Sequence, residues 1–288
     1  MERISSGILS LDLQLGGGIP LDRITEVCGP PDSSKKSFVL NLIKQNEDCV
    51  TAYLDTDNCV SYDYLEQLGI DTDSLIISQP SNAEQLIQIV ETLISNKAVD
   101  IIVIDSIATI ISEEESDSGM SFNTKNSTII ETIKKLSSLI YKSDCALILI
   151  NQIRNDLKSK KYGAKVAMAD RALNTYASIR LNIEPTNEIH HYDQIIGAKL
   201  KISINKNKIA LKKGESVSIN HYYKSGLDTV DDLLELAINA NIIQRNGSWY
   251  NFGGEKIQGK DAFIRFLRQG DDDLLDYIHD RVIRHYFN

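Results

Sequence analysis

Ile24-Thr-Glu-Val-Cys28 runs without a break into Gly29-Pro-Pro-Asp-Ser-Ser-Lys-Lys-Ser37, and apolar residues at helical spacing follow through Gln45. A short apolar run, a glycine-led turn and a helix form the repeating unit of layered α/β folds. The alternation continues down the chain. Val50-Thr-Ala-Tyr-Leu-Asp55, Asp100-Ile-Ile-Val-Ile-Asp105 and Ala146-Leu-Ile-Leu-Ile-Asn151 read as further strands, each nearly continuously apolar as expected for strands buried on both faces of a parallel sheet. Ser37–Gln45, Tyr62–Leu68, Ala83–Ser95 and Ser127–Tyr141 carry the helical period between them. Tyr176–Ile183 and Leu200–Asn205 alternate more like edge strands, whereas residues 155–171 are polar and basic and read as a mobile loop. After Gly226 the style changes: helices are expected at Val230–Asn239, Asp261–Gln269 and Leu274–Phe287, and a short strand at Ser248–Phe252. The expected organisation is an α/β core domain over 1–226, with a mostly parallel central sheet flanked by helices, and a small α+β domain over 227–288.

The segment that opens this fold also carries its chemistry. Strand, glycine-led loop, lysine and helix are the context of a Walker A phosphate cradle. Such a cradle needs inward backbone N–H groups, a helix N-terminus favouring anionic charge, a lysine for the phosphates and a hydroxyl for Mg²⁺. Lys35 stands at the required spacing from Gly29. The second glycine position is Ser34, and the hydroxyl position is Lys36. Serine adds a Cβ where the backbone favours positive φ, and the lysine removes a metal ligand while adding a cation. A second register, using Lys36-Ser37 with one extra loop residue, would distort the cradle. The bland alternative for the whole stretch is a proline–serine turn capping a helix.

Composition sets outer bounds. With 288 residues, of which 42% are hydrophobic and 25% charged, the chain can bury a large core. No run approaches the ~18 apolar residues of a membrane span, and Met1–Asp12 lacks the layout of a signal peptide. A cytoplasmic protein with no membrane partner is expected. Cys28, Cys49, Cys59 and Cys145 show no C-x-x-C spacing and are expected to be small core residues, with no metal site. The net charge of -9 argues against indiscriminate coating of nucleic acid, but a local basic stripe is still compatible with DNA binding.

The surroundings of the loop resemble the RecA recombinase family. Ile4-Ser-Ser-Gly-Ile-Leu-Ser-Leu-Asp12, Gly16-Gly-Gly-Ile-Pro20 and Arg23-Ile-Thr-Glu26 resemble the approach to that family's ATP loop. Tyr53–Asp57, Ser78–Pro80, Asp100–Ser106, Asn151–Arg154, Tyr176–Arg180, Lys206–Ala210, Gly247–Tyr250 and Gly254–Ile257 match in the same order. The resemblance implies a RecA-like P-loop NTPase core that binds ATP and Mg²⁺ and functions in DNA recombination and repair.

The resemblance also implies roles by position. Gly29, Pro30, Ser33, Ser34, Lys35, Lys36 and Ser37 would form the phosphate loop, Asp105 would hold Mg²⁺ through water, and Tyr64 would stack on adenine. Asp57 stands where the family has a glutamate that orients the attacking water, and its arm is shorter by about one C–C bond, which misplaces the base. Gln152 matches a glutamine that reports the γ-phosphate to the DNA-binding loop. Lys206 and Lys208 match a pair that reaches a neighbouring subunit's ATP, and otherwise read as solvated surface. The first DNA loop corresponds to Ile111–Thr124 and carries a repulsive Glu113-Glu-Glu115 run with Asp117. The second spans Asn155–Asp170: Lys158, Lys160, Lys161, Lys165 and Tyr162, with Arg154 and Arg171 at its ends, suit a single-stranded DNA track or a solvated charge cluster. Ala169 and Asp170 replace paired glycines after that loop. The chain also starts downstream of the family's N-terminal polymerisation module and lacks its acidic tail, so weak self-assembly is expected.

Two functions follow. One is an accessory or regulatory paralogue that binds single-stranded DNA, a partner recombinase or itself as an oligomer, with weak or absent ATP hydrolysis. The other is an active ATP-dependent recombinase that forms filaments on single-stranded DNA and exchanges strands. The changes at Ser34, Lys36 and Asp57 favour the first.

Overall fold

A strand buried on both faces needs no polar alternation, and the apolar runs above become the centre of one sheet. The computed structural model describes residues 2–107, 122–141, 143–155, 165–167, 169–210, 216–270 and 272–287. In chain order, β1 (Arg3–Ile4) and β2 (Ile19–Pro20) pair around α1 (Leu9–Leu15), and β3 (Ile24–Gly29) leads into α2 (Lys35–Lys44). β4 (Thr51–Asp55), α3 (Tyr62–Gln67), β5 (Leu75–Ser78), α4 (Ala83–Ser95) and β6 (Ile101–Asp105) follow, then α5 (Phe122–Ile140) and β7 (Ala146–Asn155). β8 (Lys165–Ala167), α6 (Asp170–Tyr176), β9 (Ile179–His191), β10 (Gln194–Asn207), β11 (Ser216–Tyr222) and β12 (Gly226–Leu227) complete the core. The sheet order is β12-β11-β10-β9-β3-β7-β6-β4-β5, parallel from β9 to β5 and antiparallel from β9 to β12.

Alternate residues of the central strands feed two separate cores, as the two-residue period of a strand requires. Ile101 and Val103 pack with Phe38, Val39 and Leu42 of α2 on one face. Ile102 and Ile104 pack with Leu86 and Val90 of α4 and with Ile133 and Leu136 of α5 on the other. α4 starts where Asn82 accepts a hydrogen bond from the Gln85 backbone N–H at 2.9 Å.

The elements differ from the sequence reading at several places. Tyr176 ends a helix instead of opening a strand, because Ala172 and Leu173 bury on the face that Tyr176 shares, and the strand starts at Ile179. Part of the expected loop over 155–171 is regular: β8 pairs antiparallel with the end of β7, and α6 follows. β9 and β10 extend into a long hairpin whose outer half is exposed, so no apolar alternation marks it in the sequence.

The C-terminal part comprises α7 (Thr229–Asn239), the antiparallel sheet β13 (Gln244–Asn246), β14 (Trp249–Phe252) and β15 (Glu255–Gln258), then α8 (Lys260–Gln269) and α9 (Asp272–Phe287). It has its own core, in which Tyr250 stacks on Phe263 at 5.2 Å beside Leu234, Leu267 and Val282. Among the described residues, no helix is long and apolar enough to cross a membrane. Cys28 and Cys145 are buried as expected, while Cys49 is half-buried and Cys59 exposed.

Candidate functional site

β3 ends at Gly29 and α2 begins at Lys35, so the turn between them lies at the C-terminal edge of the parallel strands, where open α/β sheets bind ligands. Gly29 admits no side chain: a Cβ there would lie 2.3 Å from the Ile183 carbonyl oxygen and 2.4 Å from Ser33 Oγ. Ser34 has φ 61° and ψ 27°, the left-handed conformation for which glycine is the usual residue. A left-handed residue directly before Lys35 fixes the shorter register, and the Lys36-Ser37 alternative with its extra loop residue is not adopted. Lys35 Nζ donates to the Pro30 carbonyl at 2.6 Å, to the Gly29 carbonyl at 3.2 Å and to Ser33 Oγ at 3.2 Å, bracing the loop from inside. Burial lowers the Lys35 pKa, against the opposing charges of Asp105, Cys28 and Asp32.

The second lysine turns the other way. Lys36 Nζ lies 3.0 Å from Oδ2 of Asp105, a carboxyl that is only 5% exposed. Tyr53 donates its phenolic O–H to that same oxygen at 2.5 Å, because β4 and β6 are neighbours with Asp55 opposite Asp105. Burial by itself lowers the Lys36 pKa, but the charge and hydrogen bond of Asp105, together with Asp55, outweigh it and raise it. The Tyr53 hydroxyl is pushed far up by burial and by Asp105, so it remains a donor.

A cleft of about 560 Å³ opens over the loop, within the range of small-molecule sites. It brings Ser33–Ser37 together with Asp57, Tyr64, Asp105 and Gln152. His221 and Tyr223, from the far end of the sheet, complete the wall. Ser34 Oγ lies 3.0 Å from His221 Nδ1. His221 is buried, which lowers its pKa, and its Nε2 has no hydrogen-bond partner among the described residues. Neither residue was found from the sequence, since a histidine and a tyrosine outside any motif give no local signal.

Comparison with known proteins fits this geometry. The family model of the RecA N-terminal domain matches residues 1–228, and that of the RecA C-terminal domain matches 231–287. The chain belongs to the RecA family. It is 36% identical to Protein RecA of Cereibacter sphaeroides over 98% of this chain and 84% of that protein. Protein RecA of Geobacter metallireducens is 32% identical over 98% of this chain and 85% of its own length. Protein RecA of Clostridioides difficile is 34% identical over 100% of this chain and 84% of its own length.

The RecA-like residues outside the cleft fall into two groups. Lys206 Nζ donates to the carbonyls of Asn174 and, at 2.7 Å, Ala177, while Lys208 Nζ donates to Thr175 at 2.8 Å, so the pair caps the C-terminus of α6 in its own chain. Burial and the Lys208 charge lower the Lys206 pKa to about 8. The other group carries the expected DNA contacts. Arg154 and Lys165 lie on the β7–β8 ribbon, which aligns Arg154 with Val166 and Asn155 with Lys165, and Arg171 is exposed on the first turn of α6. Lys158, Lys160, Lys161 and Tyr162 lie outside the described residues, as does most of Ile111–Thr124, of which Phe122–Thr124 open α5.

A buried network joins the two regions. Glu26 is fully buried, pairs with Arg180 Nε and accepts from Asn151 Nδ2 at 2.7 Å. Arg180 also reaches Asp170 at 2.5 Å, at the start of α6, and the Asn151 side chain accepts from the Gln152 backbone N–H at 2.9 Å. Asp170 thus places an ion pair beside the β7–β8 ribbon.

Proposed function

We propose that this RecA-like protein of recombination and repair is an accessory or regulatory member that hydrolyses ATP weakly or not at all, and acts by binding single-stranded DNA or a partner recombinase. The observation that carries the reading is the Lys36–Asp105 ion pair at 3.0 Å. ATP suits the cleft: the N-terminus of α2 favours an anion, Lys35 provides a cation and Tyr64 a stacking surface. Mg²⁺ suits it poorly. Magnesium takes oxygen ligands in near-ideal octahedral geometry, yet the second residue of α2 offers an ammonium, and Asp105 Oδ2 is engaged by both Lys36 and Tyr53.

The chain's own residues therefore hold phosphates better than they split them. Lys35 and the helix N-terminus bind, Ser34 adds bulk at the point of closest approach, and Asp57 carries the shorter carboxylate arm at the position expected to orient water. Binding without turnover is the outcome. The RecA-like fold, with Arg154, Lys165 and Arg171 placed around the basic loop, supports a role on single-stranded DNA.

An ATP turnover assay on the full chain with saturating single-stranded DNA tests the reading. Turnover is expected at background and unchanged in Lys35→Ala. DNA-stimulated turnover that Lys35→Ala abolishes would overturn it in favour of an active recombinase.

A further inference from the structure

We infer that the cleft takes a nucleoside triphosphate without a divalent cation, the Lys36 ammonium standing in for the metal. The inference rests on the reading of this cleft as a nucleotide site, and deepens it.

Three positions decide the local charge: the loop lysine, the residue after it, and the carboxylate at the end of β6. With a hydroxyl at the second position and a divalent ion bound, they would carry the lysine's single charge plus two, less one. Here Lys35 and Lys36 are set against Asp105, and Asp32 and Asp57 also line the cleft. What a polyphosphate meets is therefore the two ammonium groups and not a net positive field, and the second cation is covalently attached, so no free ion has to be recruited and immobilised. Lys36 is held in place from two sides. Its backbone belongs to the first turn of α2, and its Nζ is anchored 3.0 Å from Asp105, whose carboxylate oxygen is in turn fixed by Tyr53 at 2.5 Å. The ammonium thus lines the same cleft as Lys35.

A second observation points to a ligand. His221 lines the same cleft at 3% exposure, its Nδ1 is 3.0 Å from Ser34 Oγ, and its Nε2 is without a partner among the described residues. In the tautomer in which the Ser34 hydroxyl donates to Nδ1, the proton rests on Nε2, which is then a buried donor suited to an anionic oxygen. A magnesium ion carried in on the nucleotide would meet the Lys36 ammonium at close range and find Asp105 already paired, so metal opposes binding here instead of assisting it.

The test is equilibrium binding of a fluorescent ATP analogue to the full chain, in excess EDTA and in excess Mg²⁺. The wild type is expected to bind in EDTA as tightly as in Mg²⁺, or more tightly. Lys36→Thr, which restores a hydroxyl, is expected to reverse the preference, binding about tenfold tighter with Mg²⁺ than in EDTA. Lys36→Arg, which keeps the cation, should retain binding in EDTA and serves if the threonine variant unfolds. Wild-type binding about tenfold tighter in Mg²⁺ overturns the inference. If turnover is also absent, that result leaves the accessory reading intact; if Mg²⁺-dependent turnover accompanies it, both fail. Binding in neither buffer overturns the inference and the nucleotide reading of the cleft together, while leaving DNA or partner binding untouched.

Discussion

Ser34 and Lys36 occupy a backbone that would accept glycine and threonine at the same places: Ser34 is left-handed, and Lys36 is an ordinary residue of a helix's first turn. Their effect is therefore chemical, not architectural. The loop and the spacing of Lys35 from Gly29 were legible in the sequence, because that spacing is a local property, whereas two registers stayed open there. The partner of Lys36 was not, because Asp105 arrives from a distant strand. A second buried carboxyl shows how strongly environment sets behaviour at this scale. Asp12 is 7% exposed and accepts hydrogen bonds from Ser5 Oγ at 2.7 Å and from the Ser6 N–H at 2.9 Å. Burial raises its pKa to about 6, the hydrogen bonds from Ser6 and Ser5 opposing the rise. The folded chain thus holds this proton more firmly than the unfolded one. The stabilisation is complete below the unfolded value of 3.8 and is lost as pH rises through about 6. Between pH 4 and 7 the wild type should lose about 1–3 kcal/mol relative to Asp12→Asn, read from urea midpoints across that range. Parallel pH profiles for the two proteins would remove Asp12 as the cause.

At the scale of elements, the central strands and the helices α2, α4 and α5 follow from patterns a few residues long. The outer half of the β9–β10 hairpin does not, since it is largely exposed, whereas β11 alternates, with Val217, Ile219 and His221 buried, and was overlooked. α6 was misread because its buried face is short, and its start is held by tertiary contacts. The strongest of these is the Glu26–Arg180–Asp170 network, which ties β3, β9 and α6 together. Arg180→Met removes the guanidinium from a fully buried Glu26 that also accepts from Asn151, which should cost about 3–5 kcal/mol. Asp170→Ala removes a half-exposed carboxylate and should cost less than about 1 kcal/mol. Urea denaturation of the two variants checks the ordering. Equal small losses would show that Glu26 does not depend on its arginine.

For the whole molecule, a net charge of -9 coexists with a basic segment of four lysines between Lys158 and Lys165. Affinity for DNA must then come from that local concentration of charge working against the field of the remainder. Neutralising Lys158, Lys160 and Lys161 to glutamine should weaken binding to single-stranded DNA and reduce the slope of log affinity against log salt by about 2. Fluorescence anisotropy in a salt series measures it, and an unchanged slope removes the loop from the DNA path. The C-terminal part, with a separate core around Tyr250 and Phe263, touches the main body through α1, where the Ser10 N–H donates to Asp232 at 2.9 Å.

The sequence by itself determined the parallel sheet, its flanking helices and the strand–turn–helix that carries Lys35, because each is written in short-range periodicity and spacing; the RecA likeness came from motifs matching in order along the whole chain. Only the tertiary structure decided that Lys36 pairs with Asp105, that Tyr53 shares that carboxylate, and that His221 closes the cleft against Ser34. Those contacts depend on which strands become neighbours, and strand order is settled by the burial of the whole chain, not by any local run of residues.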